Sequence, residues 1–149
     1  MLARNPGATF ERERLRIFDF YLLFPGLIPR MKLPHGKTSW RRRFRERENP
    51  YVFSGDPRSV FQQVRPVHEH GVALLAAKGL LDVRVLERGF VQRSEVLLPA
   101  ALQEVVGRIS EFDRETMEFF DDVLRDLGLL GPSGLKARTG LLDFRYDAT

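Results

Sequence analysis

The residues best equipped for chemistry in this chain are arginines. Between positions 41 and 47, Arg41, Arg42, Arg43, Arg45 and Arg47 fill five of seven places, with Trp40 and Phe44 set among them and Lys37 just upstream. Guanidinium groups at that density bind phosphates without reading sequence, and an exposed ring beside them can stack on a base. The same cluster suits an acidic protein face, or a plain solvated loop whose charge Glu46 and Glu48 partly neutralise. The sequence leaves all three readings open. A second set of cations, Arg84, Arg88 and Arg93, falls in a separate stretch.

Catalysis has no comparable cluster. His68 and His70 flank Glu69, but residues two apart on a helix point to different sides and cannot share a metal, and neither an HExxH motif nor a cysteine is present. There is no GxSxG, no Gly-rich loop ending in Gly-Lys-Ser, and no plausible nucleophile and base pair. Glu118, Asp121, Asp122 and Asp126 read as a solvated helix face on which Asp121 can pair with Arg125. Asp19 reads as the exposed position of an otherwise buried helix. A metal-dependent nuclease would need clustered acids or histidines. The expectation is a protein that is not an enzyme and uses no cofactor or metal.

The chain of 149 residues is the size of one domain, expected over residues 1–149. Hydrophobic residues make up 43%, with 12 phenylalanines, which excludes wholesale disorder. With no cysteine there is no disulfide framework, and a reducing cytoplasm is the natural home. The oiliest stretch, residues 15–28, is interrupted by Arg16, Asp19 and Pro25, so neither a signal peptide nor a membrane span is read. The net charge of +4 is lopsided: residues 1–75 hold 14 Lys and Arg against 7 acids, the remainder 10 against 13.

These residues must be positioned by elements. A first helix is predicted over 10–24, capped by Thr9, with Leu15, Phe18 and Leu22 at helical spacing. Residues 25–56, rich in Pro and Gly, read as a long irregular excursion holding the arginine cluster. If that cluster is helical, Trp40 and Phe44 share a side. Asp56 and Pro57 open a second helix, and a third runs from Pro66 to Lys78 with Val67, Leu74, Leu75 and Ala77 inward and Gly79 as its stop. The run 83–98 reads as a β-hairpin around Gly89. From Pro99 one long helix is expected to end before Gly128. Its a/d-like seam includes Leu102, Val105, Phe112, Phe119 and Val123, and a second stripe adds Val106, Met117, Phe120 and Leu124. That width exceeds what one core contact usually needs, so the segment reads either as a central core helix or, with Met117, Phe120 and Leu124 as candidate protein-interface residues, as a partner surface. The tail, 129–149, is too oily for disorder and is expected to dock. Its candidates are Arg138, Thr139, Leu141, Leu142, Phe144, Arg145 and Tyr146, where apolar residues alternate with charges after a turn.

Three helices followed by a hairpin is the order of a winged helix, so the expected class is mainly α with a small β-hairpin, α+β, with a winged-helix-like core. A winged-helix DNA-binding transcriptional regulator is one reading, but its third helix would offer only His68, Glu69, His70 and Lys78 to the major groove, poor equipment for base edges. Three segments, RLRIFDFYLLFPGLI at 14–28, ENPYVFSGDPRSVFQQVRPV at 48–67 and GLKARTGLLDFRYD at 134–147, together with the junction ALLAAKGLLD, carry a resemblance. The chain resembles the middle components of bacterial ABC three-component systems, the fifth subclass among them. The resemblance implies a small non-enzymatic, winged-helix-like adaptor between an SMC- or Rad50-like ABC ATPase and an effector, in defence against phage and plasmids. It implies those two proteins as partners and leaves nonspecific DNA contact open. It assigns no role to the arginine cluster.

Overall fold

Aromatic rings organise the core. The computed structural model describes residues 1–3, 5–45, 55–108 and 111–142, with only the backbone at 111 and 112. Phe18 and Phe120 stack with centroids 4.8 Å apart, Phe20 meets Phe61 edge-on at 5.4 Å, and Phe119 meets Trp40 at 5.6 Å and Phe44 at 5.5 Å. Edge and offset contacts of this kind add to plain area burial. The rings come from four places along the chain, so one cluster fastens them together.

The elements run β1 (Thr9–Glu11), α1 (Arg12–Leu23), a 3₁₀ turn (Pro25–Arg30), α2 (Ser39–Arg45), α3 (Pro57–Gln63), α4 (Arg65–Ala77), α5 (Val83–Glu87), β2 (Phe90–Gln92), α6 (Ala100–Gly107), α7 (Glu111–Phe119), a π-helical turn (Phe120–Leu124) and α8 (Leu135–Thr139). The described fold is mainly helical with one two-stranded antiparallel sheet, an α+β chain as expected.

At the centre lies α1, with Leu15, Ile17, Phe18, Phe20 and Tyr21 buried and Asp19 exposed. Two of its arginines are buried as well. Arg14 donates to the carbonyls of Leu124, Arg125 and Leu127 at 2.7–3.0 Å and pairs with Glu11 at 2.6 Å. It thus supplies the cation that a helix C-terminus favours. Arg16 lies over the Phe61 ring at 4.0 Å and bonds Gln62 Oε1 at 3.1 Å. Thr9 does not cap α1. It belongs to β1, where Phe10 is buried opposite Val91.

Several expected elements are corrected. The 83–98 hairpin is absent. Asp82 accepts from the backbone N–H of Arg84 at 2.9 Å and of Val85 at 3.4 Å, and this cap turns VRVLE into α5 despite its β-branched residues. Gly89, at φ +84, then stops α5 instead of forming a hairpin turn. The ladder of β2 is with the distant β1, in the register Thr9 with Gln92, plus a single bridge between Leu81 and Arg93. The long helix from Pro99 is interrupted after Gly107, the weakest helix former in it, giving α6 and α7. The excursion is not irregular throughout: its 3₁₀ turn and α2 bury Leu27, Ile28, Trp40 and Phe44.

After α7, Gly134 approaches the chain so closely that a Cβ would lie 2.1 Å from the Leu130 carbonyl oxygen. This lets α8 bury Leu135 and Ala137, with Leu141 buried just beyond.

Candidate interaction surfaces

Helix α2 carries most of the arginine cluster, and Trp40 and Phe44 fix its orientation. Trp40 is 8% exposed and Phe44 0%. Trp40 Nε1 donates to Asp122 Oδ2 at 2.8 Å, while Lys37 Nζ lies 2.6 Å from Asp122 Oδ1, so one carboxylate of the π turn receives both. The Lys37 hydrogen bond first, then that of Trp40, hold the Asp122 carboxyl below its ordinary range. The expectation that Trp40 or Phe44 stacks on bases is therefore corrected: both rings pack on Phe119 because α7 and the π turn present it to them.

The arginines divide. Arg41 donates to the Met31 carbonyl at 3.2 Å. Arg43 lies 4.5 Å over the Trp40 ring and 3.7 Å from Glu115. Arg42 and Arg45 are exposed, and neither has an ion pair with a described residue. Arg47 lies outside the described residues. On α5, Arg84 is almost fully exposed and 3.5 Å from Asp82. Arg88 follows α5, and Arg93 donates to the Val96 carbonyl at 3.2 Å. No hydrogen bond or ion pair between described residues joins these three to α2.

Of the two readings of the helix stripe, central core helix and partner surface, the burial follows the first. Met117, Phe120 and Leu124 are buried, at 5%, 0% and 0% exposure, because α1 and α2 flank this segment and use its full width. In the tail, Leu141 is buried and Leu142 half-buried. Thr139 Oγ1 donates to the Lys136 carbonyl, and Arg138 to the carbonyls of Ser133 at 2.7 Å and Lys32 at 3.0 Å. Phe144, Arg145 and Tyr146 lie outside the described residues.

Uncovered apolar side chains lie elsewhere. Of nine large exposed hydrophobics among the described residues, seven fall between Val67 and Val105, and α6 has no buried residue, with Val105 67% exposed. On α4 only Val72 is buried, while Val67 and Leu74, both expected inward, are exposed. Between α1 and α4 lies an open groove of about 580 Å³, walled by Leu22, Leu23, Val67, Val72 and Leu75. At its rim His68 Nδ1 is 2.6 Å from Asp19 Oδ2. Sequence reasoning sets both residues aside, since a pairing across 49 positions leaves no local signal. Among the described residues no three His, Asp or Glu side chains gather to hold a metal.

A sequence profile of the family described as ABC-three component (ABC-3C) system Middle Component 5 matches residues 1–147. No curated protein and no solved structure matches the chain.

Proposed function

The chain belongs to the middle component 5 family of ABC-3C systems, and on that footing we propose that it is a non-enzymatic adaptor joining an SMC- or Rad50-like ABC ATPase to an effector. Membership implies partners within the same system. The match over residues 1–147 is the observation that carries the proposal. In this reading the protein works in the cytoplasm, in defence against phage or plasmids, and acts by contact without a cofactor. It keeps the effector bound until the ATPase engages foreign DNA. Its α1, α3 and α4 keep the three-helix order of a winged helix without the hairpin.

One feature supports an adaptor. The apolar side chains between Val67 and Val105 are uncovered, a pattern more typical of a partner surface than of a chain that acts alone. Co-expression with an SMC- or Rad50-like ABC ATPase of an ABC-3C system, followed by size-exclusion chromatography, tests the proposal. Co-elution is expected, and separate elution at micromolar concentration would overturn it. Leu97→Glu with Val105→Glu changes only exposed residues and is expected to weaken co-elution without lowering Tm.

A further inference from the structure

The solvent side of α2 offers cations and no apolar side chain. Its rings face the core, and Arg41 and Arg43 are engaged with Met31 and Glu115, while Arg42 and Arg45 stay exposed. These two lie three positions, or about 4.5 Å of helix rise, apart on one side. Neighbouring segments extend the charge. The Arg41 bond to the Met31 carbonyl draws residues 30–32 alongside, where Lys32 is exposed. Lys32 in turn is tied to α8: its N–H donates to the Arg138 carbonyl at 3.0 Å, and the Arg138 guanidinium donates to the Lys32 carbonyl at 3.0 Å. The exposed cations Lys32, Arg42 and Arg45, on adjoining segments, form a basic ridge that Arg138, half-buried and donating to the Ser133 and Lys32 carbonyls, braces from α8.

Three kinds of partner can meet such a ridge, and its composition separates them. A protein partner binds chiefly through apolar and aromatic anchors at the centre of the contact. The ridge has none, and the uncovered apolar residues lie between Val67 and Val105. A single nucleic-acid strand needs rings to stack on. Trp40 and Phe44 are buried. The backbone of a duplex needs neither, because its regularly spaced phosphates are met by cations without base contact. We propose that α2, with Lys32, is a sequence-independent contact for the phosphodiester backbone of a nucleic-acid duplex. The contact goes beyond the adaptor proposal and does not depend on it. The hydrogen bonds of Lys37 and Trp40 to Asp122 hold α2 on the core, so its arginines project from a fixed helix and lose less freedom on binding.

The test titrates the full chain against labelled duplexes of arbitrary sequence, one DNA and one RNA, by fluorescence anisotropy from about 50 to 200 mM salt. Log affinity is expected to fall linearly with log salt and to be indifferent to base order. Arg42→Gln with Arg45→Gln should flatten the slope by roughly 2 units, about 0.9 for each phosphate left unneutralised. Lys32→Gln should flatten it by about 1 and carries the test if the double variant fails to fold. Whichever duplex binds more tightly names the source of the backbone. Affinity that ignores salt, or variants that keep the wild-type slope, would overturn the contact. Capture of polyglutamate but of neither duplex would replace it with an acidic protein partner.

Discussion

Asp122 shows how much one side chain can join. Its two oxygens hold Lys37 and Trp40, and with them α2, against the π turn. Because these bonds depress its pKa in the folded state, their stabilisation is complete above the ordinary aspartate value of about 3.9 and is lost as pH falls through the lower folded value. Urea denaturation of wild type and Asp122→Asn should therefore differ most near neutrality and converge in acid. A gap that is constant with pH would contradict the link. Phe44→Ala, at a fully buried ring, should cost about 3–5 kcal/mol, against less than about 0.5 kcal/mol for Arg42→Ala two positions away. The spacing of Trp40 and Phe44 places them on one side from sequence alone. Their destination is not legible there, since it depends on Phe119, some eighty residues on. Asp122 reads as solvated in the sequence for the same reason.

At the level of elements, local signals are legible where side chain and backbone agree. Asp56 does accept from the Ser59 N–H at 2.9 Å, and Gly79, at φ +70, does stop α4. Where two local signals compete, the more conspicuous one misleads. β-branched residues argue for a strand at 83–87, but a capping carboxylate decides for a helix. Asp82→Ala should cost about 1 kcal/mol in equilibrium unfolding, and no loss would mean that α5 is held by tertiary packing alone. Gly134 gives no warning of its role, because the carbonyl that excludes a Cβ there comes from a chain reversal that sequence does not reveal. Gly134→Ala should lower Tm clearly, whereas an unchanged Tm would show that the reversal yields easily.

Across the whole molecule, the basic ridge and most of the uncovered apolar side chains fall on different segments, although Arg84, Arg88 and Arg93 share the stretch of the latter. The basic ridge belongs to α2 and the segments beside it, while the uncovered apolar residues belong to α4, α5, α6 and the links between them. The fold class is legible from composition and periodicity, but the sheet is not, because its strands lie some eighty residues apart and neither is a strand by itself. The buried Leu135, Ala137 and Leu141 also change which truncation is informative. A chain ending at Gly134 should lose cooperative unfolding, seen by circular dichroism against urea. One ending at Leu142 should retain it, and comparing its co-elution with that of the full chain isolates whatever residues 143–149 contribute to binding.

Arg14 and the carbonyls it holds have a consequence during synthesis. The carbonyl of Leu124 is 110 residues downstream of the guanidinium that grips it, so at elongation rates of about 5–20 residues per second α1 leaves the ribosome on the order of ten seconds before that partner exists. Throughout that interval Phe18 lacks Phe120, and the guanidinium has no carbonyl to grip. A chain stalled before α7 would expose a bare aromatic helix, a natural substrate for chaperones and proteases. Emergence of the segment through Leu127 and escape from quality control are therefore nearly the same event.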